Sequence, residues 1–480
     1  MQRRTFLALS LGTLGGLALR LQPGQMAWAA ETVPPEELFK ISLAQWSLHR
    51  TLNDGKLDNL DFPRVAKRDF EIDAVELVDQ FFADKVEDAA YLDDLKSRAE
   101  GEGVRIGLVM IDTAGSLGAM DVAARSKAID QHKLWIDAAK RLGCYAVRIN
   151  ARGEQQDLAQ RIVDSGRKLA DHAAQHEMSV IIENHGGPSS DPDWLVRVME
   201  VADRPNFGTL PDFGNFPDDV DRYDAVEALL PFAKAVSAKA VRFSEVGILD
   251  TDYDRMMRHV RDSGYTGDVG IETSPPSQEE EARAIEITRD VLREIRQRQS
   301  QVVPILSGDS LDGWTRLHGG QWSFEDGVLV GRNGEDWTTN PEVSGSWLRT
   351  DKEYGDFRLE LQFAINENGN SGVFFRSAQE KNPAFTGYEL QIHDSYGREP
   401  TKGGAGSLYD VIAPTENRIR PAGEWNTATI VAKGQHVRVE LNGAVTVDTD
   451  LTRRERGFIG LQNHDQRSVV KFRNVRVQEL

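Results

Sequence analysis

Short apolar runs alternate with longer charged segments along residues 41–272, and this rhythm predicts the fold of the first half of the chain. The intervening segments, such as Val122–Leu142 and Leu158–His176, carry one apolar stripe at helical spacing. The eight apolar runs are Ile41–Trp46, Ala74–Val78, Val104–Ile111, Tyr145–Asn150, Ser179–Glu183, Gly208–Asp212, Ala235–Val241 and Val269–Glu272. Eight strand and helix units in this order predict a (β/α)8 TIM barrel.

A different pattern begins near residue 305. The helical spacing ends with Glu279–Arg298, and short alternating runs follow between turn signals such as Glu325-Asp326-Gly327 and Leu441-Asn442-Gly443. Strands are predicted at Phe357–Ile365, Ser371–Arg376, Tyr388–His393, Thr427–Lys433, His436–Leu441, Gly457–Gln462 and Val469–Val477. We therefore predict a barrel at residues 36–298, a linker at 299–304 and a jelly-roll β-sandwich at 305–480.

Residues 1–30 have the features of an export signal. Arg3-Arg4 precedes an apolar stretch from Phe6 to Leu19, and Ala27-Trp28-Ala29 supplies the small residues that a signal peptidase needs. The stretch is too short to cross a bilayer, and no other run is long enough, so we expect no membrane span. The arginine pair resembles a twin-arginine signal, which predicts export to the periplasm; the alternative is an ordinary secretory signal that starts with two arginines, and it also predicts export.

Charge and cysteine content narrow the function classes. The chain has 57 Lys and Arg against 76 Asp and Glu, a formal net charge of −19, and no long basic block. Such a surface repels a phosphate backbone, so we expect no nucleic-acid partner. The single cysteine, Cys144, can form no intramolecular disulfide and is expected to be a buried small apolar residue.

The ends of the predicted barrel strands are unusually acidic, and active sites of such barrels lie at those ends. Strands five, six and eight end in Glu183, Asp212 and Glu272, and strand two carries Glu76. Converging carboxylates repel one another unless a cation neutralises them. We expect a divalent ion, Mn²⁺ first and Co²⁺, Mg²⁺ or Zn²⁺ as alternatives, with His185 on the same strand face as Glu183 as a further ligand.

These acidic strand ends resemble the xylose-isomerase-like family of sugar isomerases and epimerases. The resemblance implies metal ligands Glu, Asp, His and Glu at the ends of strands five to eight, of which Glu183, Asp212 and Glu272 match three. The chain departs from the family at strand seven, where Ser237-Ala238-Lys239 replaces the His-x-Lys pattern. His185 or water is left to supply the fourth ligand.

A second departure is Asn215, which stands where many epimerases of that family have a histidine. A proton must be removed beside the sugar carbonyl, and Glu183, Glu272 and Lys239 all remain candidate bases. Further residues at the strand ends are expected to bind the sugar, Arg148 and Asn150 through its hydroxyls and Trp46 by ring stacking. Glu76 is predicted to join them in binding substrate.

The second half of the chain resembles the 3-keto-disaccharide hydrolase domain, a concanavalin-like sandwich whose family acts on glycosides oxidised to a ketone at C3. The resemblance rests on the motifs Leu311-Asp312-Gly313-Trp314, Asn370–Ser377, Gly387–Asp394, Gly423-Glu424-Trp425-Asn426 and Gly457–His464. Strand alternation predicts one polar face with Arg376, Glu389 and Gln391 as catalytic residues and Gln462 and His464 as substrate-binding residues. Asp394 is predicted to bind substrate as well, although its spacing from Glu389 argues against a two-carboxylate glycosidase mechanism.

Together the two resemblances predict an enzyme that acts on small 3-keto-glycosides. The barrel would remove the C2 proton and eliminate the C1 aglycone, while the sandwich hydrates the product or binds the oxidised sugar. The alternatives are a sugar isomerase or epimerase with a binding module, a carbohydrate-binding protein with an inert barrel, and a hydrolase of unoxidised glycosides. An enzyme that oxidises glycosides at C3 would have to act upstream. The oligomeric state does not follow from the sequence.

Overall fold

The computed structural model describes residues 34–245, 247–306, 309–335, 346–379 and 382–480. The predicted export signal lies outside these residues. Eight parallel strands form the first sheet: β1 (Lys40–Ala44), β2 (Ala74–Val78), β3 (Arg105–Met110), β4 (Ala146–Ile149), β5 (Ser179–Glu183), β6 (Phe207–Leu210), β7 (Val236–Ala240) and β8 (Asp268–Thr273).

These strands close into a barrel. Their order is β6-β5-β4-β3-β2-β1-β8-β7, and parallel bridges Thr209↔Ala233 and Asp212↔Ser237 join the two ends. The helices are α1 (Pro35–Leu38), α2 (His49–Asn53), α3 (Phe62–Phe70), α4 (Ala89–Gly101), α5 (Val122–Leu142), α6 (Leu158–Ala174), α7 (Pro192–Ala202), α8 (Arg222–Leu229), α9 (Tyr253–Asp262), α10 (Glu281–Gln299) and, in the second half, α11 (Pro383–Thr386). Short 3-10 turns occur at Gln45–Leu48, Asn59–Asp61, Asp79–Phe81, Ala83–Lys85, Gly187–Ser190 and Leu230–Phe232.

Two apolar layers hold the barrel together. The larger lies between strands and helices and includes Val147, Ile182 and Leu169, while a smaller cluster with Leu108, Ile181 and others fills the barrel interior. Strands that are buried on both faces need near-continuous apolar sequence, which is why the eight runs stand out. Cys144 is buried, as expected, and free.

The second half is built from antiparallel strands in two sheets. The strands are β9 (Val303–Pro304), β10 (Trp314–Leu317), β11 (Gln321–Glu325), β12 (Val328–Arg332), β13 (Trp347–Tyr354), β14 (Phe357–Ile365), β15 (Asn370–Ser377), β16 (Tyr388–His393), β17 (Asn426–Lys433), β18 (His436–Leu441), β19 (Ala444–Asp450), β20 (Gly457–Gln462) and β21 (Val470–Glu479). One sheet has the order β10-β13-β20-β15-β16 and the other β11-β12-β21-β14-β17-β18-β19, with β9 paired to β21. The predicted fold class, a TIM barrel followed by a β-sandwich, is confirmed.

The larger sheet of the sandwich packs against the side of the barrel. Its apolar residues, such as Leu359 and Leu361, face the sandwich core, and the alternating Glu360 faces the barrel, where it pairs with Arg261 on α9. Arg476 on β21 likewise pairs with Asp262 at the end of α9. Charged side chains therefore join two separately packed apolar cores.

The helices of the described residues differ from membrane-spanning helices in length or hydropathy. None of them is both long and apolar enough to cross a bilayer.

Candidate active site

Three buried carboxylates meet at the carboxyl ends of the barrel strands. Glu183 ends β5, Asp212 follows β6, and Glu272 lies near the end of β8. Each offers an oxygen within 4.8 Å of those of the other two. The closed barrel produces this convergence, because it brings the ends of non-adjacent strands to one mouth.

Two cations, the buried Arg148 and the partly exposed Lys239, neutralise part of this charge. Lys239 Nζ lies 2.6 Å from Glu272 Oε1, and Arg148 Nε lies 3.0 Å from Glu183 Oε2. Arg148 also pairs with Asp112 at 2.7 Å. Asp112 lies two residues beyond the end of β3 and is a site residue that was not among those predicted from the sequence. The signal was present, since a carboxylate immediately after a predicted barrel strand is placed at the mouth like the other three.

The residues that depart from the family pattern orient Asp212. Ser237 Oγ donates a hydrogen bond to Asp212 Oδ2 at 2.7 Å, and the Gly214 and Asn215 N–H groups donate to Oδ1 at 2.8 Å each. Asn215 Nδ2 also donates to Glu183 Oε1 at 3.0 Å. Ser237 and Asn215 thus hold carboxylates in place through hydrogen bonds.

Burial and charge act differently on the three acids. Burial raises the pKa of Glu183; Arg148 offsets part of the rise, and Glu272 adds to it. Burial likewise raises the pKa of Asp212, against the opposing charge of Lys239. Burial also disfavours the charged form of Glu272, but the Lys239 ammonium and the Arg148 guanidinium together outweigh burial and lower the Glu272 pKa. Glu272 is therefore the carboxylate held most firmly in its ionised form.

A cavity of about 420 Å³ opens above these groups, a volume typical of small-molecule sites. It is lined by Trp46, Val78, Gln80, Met110, Asp112, Thr113, Arg148, Arg152, His185, Lys239 and Glu272. Burial, with Arg148 and Lys239 nearby, lowers the pKa of His185 to about 4, so its imidazole is neutral at pH 7. His185 lines the cavity beside Arg152 and does not join the three carboxylates whose oxygens converge.

Two predicted sugar-binding residues lie elsewhere. Glu76 lies in the barrel interior and accepts a hydrogen bond from Ser42 Oγ at 2.6 Å. Gly270 leaves room for its carboxyl, because a Cβ there would lie 2.5 Å from Glu76 Oε1. The prediction that Glu76 binds substrate at the mouth is wrong. Glu76 lies two residues before Val78 on the same face of β2, and only Val78 lines the cavity. Asn150 donates to Asp112 Oδ1 at 2.7 Å and thereby positions that carboxylate.

The surroundings of Lys239 argue against its predicted role as a candidate base. Burial alone would lower its pKa, but the Glu272, Asp212 and Glu183 carboxylates raise it above the ordinary lysine value. A protonated ammonium 2.6 Å from Glu272 has no lone pair with which to take a proton. Its position instead suits charge stabilisation.

A second polar cavity lies on the outer face of the smaller sandwich sheet. It is lined by Asn370, Asn382, Ala384, Glu389, Gln391, Tyr409, Gln462 and His464. The alternating apolar residues Leu390, Ile392 and Leu461 face the sandwich core. Four predicted residues, Glu389, Gln391, Gln462 and His464, therefore line one cavity; Asn370, Asn382 and Tyr409 join them.

Glu389 is the only acidic residue among those that line this cavity. Its carboxyl lies over Gly372, where a Cβ would come within 2.0 Å of Glu389 Oε1. Burial raises the pKa of Glu389 well above the usual range, and no described residue hydrogen-bonds the carboxyl. Gln391 Nε2 donates to Asn370 Oδ1 at 3.1 Å. The cavity thus contains a neutral acid among amide groups.

The predictions for Arg376 and Asp394 are corrected. Arg376 has φ 51° at a register shift in β15, so the alternation breaks there. Its guanidinium donates to Gly355 O at 3.0 Å and Gly434 O at 2.6 Å and pairs with Asp356, away from the cavity. Asp394 follows β16 and accepts a hydrogen bond from the Asn368 N–H at 2.8 Å. Both side chains hold turns in place.

Comparison with known proteins divides the chain in the same way. Residues 65–295 match the family model of the xylose isomerase-like TIM barrel, and residues 301–478 match that of the 3-keto-alpha-glucoside-1,2-lyase-like domain. A 3-keto-disaccharide hydrolase from Bacteroides thetaiotaomicron is 26% identical over 230 residues, which cover 37% of this chain and 78% of the relative.

Solved structures resemble the barrel. A xylose isomerase domain protein from Planctomyces limnophilus is 16% identical, with a TM-score of 0.44, covering 55% of this chain and 98% of its own. A 3-keto-D-glucoside 4-epimerase from E. coli is 15% identical, with a TM-score of 0.43, covering 53% and 99%. By these models, residues 65–295 are similar to the xylose isomerase-like TIM barrel and residues 301–478 to the 3-keto-alpha-glucoside-1,2-lyase-like domain.

Proposed function

We propose that this protein is a carbohydrate-active enzyme that cleaves 3-keto-glycosides, with elimination in the barrel and hydration in the sandwich. The observation that carries the proposal is the barrel mouth, where an ionised Glu272 paired with Lys239 faces a sugar-sized cavity. The match of residues 301–478 to a 3-keto-glucoside lyase-like model and the name of the Bacteroides relative support the substrate class.

The chemistry of such a substrate matches the groups at the mouth. A ketone at C3 acidifies the hydrogen on C2, because the resulting carbanion is delocalised onto the ketone oxygen. When the C2–H electron pair forms a C1=C2 double bond, the C1–O bond breaks, and the aglycone oxygen leaves with the electron pair of that C1–O bond and takes up a proton. The step needs one base and cationic groups beside the ketone oxygen.

Among the carboxylates, Glu272 is the proposed base. Glu272 lines the cavity and is held ionised by Lys239, whereas Glu183 is not among the lining residues and is buried against Arg148. Lys239 and Arg148 then lie close enough to the bound sugar to stabilise the negative charge that develops on its ketone oxygen. The neutral His185 and the Trp46 ring, both in the cavity wall, are placed to bind hydroxyls and one sugar face.

A divalent metal ion fits the three converging carboxylates. Glu183 Oε2 is buried with Arg148 Nε 3.0 Å away as an ion-pair partner, and it accepts no well-aligned hydrogen bond from the described residues. Burial and the neighbouring Glu272 carboxylate raise the pKa values of Glu183 and Asp212, so a cation at this place would stabilise their ionised forms. Glu183, Asp212 and Glu272 would hold the ion, with Mn²⁺ proposed first on the strength of the all-oxygen donor set. When bound, it would polarise the ketone and the neighbouring hydroxyl of the sugar as a Lewis acid.

The sandwich cavity is proposed to return water to the unsaturated product. Addition of water at C1 places a proton on C2, and the neutral Glu389 carboxyl is a suitable donor. Gln391, Gln462 and Asn370 offer amide groups that match sugar hydroxyls. The alternative to elimination is epimerisation at C2, favoured by the xylose isomerase-like model of the barrel, with the sandwich as a carbohydrate-binding module.

We also propose that the protein is exported and that another enzyme supplies its substrate. The Arg3-Arg4 pattern supports export to the periplasm by a twin-arginine route. Because the substrate already carries a ketone at C3, an enzyme that oxidises glycosides at C3 must act before this one.

The proposal is tested by following aglycone release from a chromogenic 3-keto-glucoside. We expect release by the Mn²⁺-loaded protein, its loss after chelation with recovery on adding Mn²⁺, and a fall of about 10²- to 10⁴-fold in Glu272→Gln. Asp193→Asn, on α7, is the matched control. Cleavage of the unoxidised glucoside at the same rate, or full activity in Glu272→Gln, would contradict the proposal.

A further inference from the structure

A cluster of metal-ligating side chains lies on the outside of the barrel, apart from both cavities. Asp137 on α5 faces His172 on α6 and His176 just beyond it. The Nε2 atoms of His172 and His176 lie 2.8 and 2.9 Å from the same oxygen, Asp137 Oδ1. The described residues contain two groups of three potential metal ligands, these three and the three carboxylates of the barrel mouth.

Local structure brings the two imidazoles together. His172 and His176 are four residues apart, so they lie one turn apart on the same side of α6 and of the turn that extends it. The helix ends at Ala174, and the His176 N–H donates to Ala173 O at 2.9 Å, which continues the turn. Lys140 Nζ, also on α5, donates to His176 O at 2.9 Å and fixes the turn against the neighbouring helix.

The donor set has the chemistry of a transition-metal site. Two imidazole nitrogens and one carboxylate oxygen are ligands that Zn²⁺ prefers, and tetrahedral bonds of about 2.0–2.2 Å place such donors about 3.3–3.6 Å apart. The two N–O separations would therefore lengthen by roughly half an ångström on binding. The side chains of His172, His176 and Asp137 are 24%, 29% and 51% exposed, so water can complete the coordination shell. Without an ion, Asp137 Oδ1 accepts a hydrogen bond from both rings, and the three ligand atoms already lie within 4.8 Å of one another.

We propose that Asp137, His172 and His176 bind Zn²⁺ or a chemically similar ion as a clamp between α5 and α6. On binding, each imidazole presents its Nε2 lone pair to the ion and carries its proton on Nδ1. The oxidation state of Zn²⁺ does not change. The ion would stabilise the barrel by mass action, because the unfolded chain does not hold the three ligands together. This proposal is independent of the sugar chemistry.

Zinc titration of the chelator-stripped, full-length protein tests the clamp. We expect the wild type to bind one more equivalent of Zn²⁺ than His172→Ala/His176→Ala, in calorimetry and in a Zn²⁺-dependent rise of the melting temperature. The barrel carboxylates are the same in both proteins, so any ion bound there cancels from the comparison. Asp130→Asn, which removes an exposed carboxylate from the same helix, should behave as wild type.

Two further measurements make the outcome decisive. Co²⁺ at this site should give the visible absorption of nitrogen ligation, and the double variant should lose it. Asp137→Asn should weaken Zn²⁺ binding without touching either ring, which covers the case in which the double variant is poorly folded. Equal Zn²⁺ stoichiometry and equal thermal shifts in the wild type and in both variants would overturn the proposal.

Discussion

Glu76 shows how burial alone changes the chemistry of one residue. It is 1% exposed in the barrel interior, and burial raises its pKa to about 8, with Asp268 and Glu272 adding to the rise. The folded protein therefore keeps this carboxyl protonated at neutral pH, whereas the unfolded chain releases the proton near pH 4.5. The unfolded state binds fewer protons between these values, so Glu76 makes stability fall as pH rises from about 4.5 to 8.

Glu76→Gln removes this dependence. The amide keeps the shape and can still accept the hydrogen bond of Ser42, but it has no charge to suppress. We expect the variant to gain stability over the wild type as pH rises, by on the order of 4 kcal/mol at pH 8 relative to pH 4.5. Urea unfolding of both proteins across this range measures the gain, and parallel curves would show that Glu76 is ionised in the fold.

Glu389 offers the corresponding test in the sandwich. Its carboxyl is neutral in the buried cavity, so Glu389→Gln preserves shape and charge and removes only the proton that can be transferred. We expect the hydration rate of the unsaturated sugar to fall about 10²-fold or more, with little change in KM. Asp394→Asn is the control, because Asp394 holds a turn. Equal kcat in Glu389→Gln and wild type would leave the sandwich as a binding module.

Residue positions could be predicted where the strand pattern is regular. Glu183, Asp212 and Glu272 follow apolar runs whose ends meet at the barrel mouth, so their convergence follows from the sequence. The depth of Glu76 could not be predicted. All five residues of β2 are buried, so the sequence pattern does not show how far along the barrel axis each of them lies. The charge state of Lys239 also depends on its partners, which only the closed barrel brings to it.

At the level of elements, long alternating strands were predictable and short or charged ones were not. The runs at β14, β16 and β18 match the structure, whereas β13 contains Asp351-Lys352-Glu353 and is defined by its pairing with β20. Pairing partners far along the chain leave no local signal. In β15, the bulge at Arg376 reverses the alternation, which no single-sequence pattern reveals.

The contact between α9 and β14 can be tested by mutation. Arg261 and Glu360 are both buried there, and Arg261→Ala leaves the Glu360 carboxylate with Arg358 as its remaining partner at 2.7 Å. We expect a loss of about 3 kcal/mol in the free energy of unfolding, because a buried charge loses a partner. Arg283→Ala, at an exposed site on α10, should change stability by less than about 0.5 kcal/mol in the same denaturation experiment. Equal losses in the two variants would show that the Arg261 pair does not hold the two halves together.

At the scale of the whole molecule, the sandwich cavity lies on the side of the sandwich that faces away from the barrel. The barrel contacts the outer face of the larger sandwich sheet through α9, while the Glu389 cavity lies on the outer face of the smaller sheet. Two sheets and the core between them therefore separate that cavity from the barrel. Any intermediate that passes between the sites has to travel through solvent.

This layout predicts full complementation in trans. A mixture of Glu272→Gln and Glu389→Gln proteins, each at the wild-type concentration, contains the same number of intact sites of each kind as the wild type. We expect the mixture to form the hydrated 3-keto sugar at nearly the wild-type rate. In both the mixture and the wild type, the intermediate reaches the sandwich cavity through solvent. A rate far below that of the wild type, with both proteins folded, would indicate direct transfer within one molecule.

Incubation of the Mn²⁺-loaded enzyme with a 3-keto-glucoside in heavy water, followed by NMR and mass spectrometry, tests the central claim most directly. The account predicts release of the aglycone together with an unsaturated 2-hydroxy-3-keto sugar, and deuterium at C2 of the hydrated product. Recovery of an intact glycoside with deuterium at C2, or no exchange and no release, would contradict elimination in the barrel.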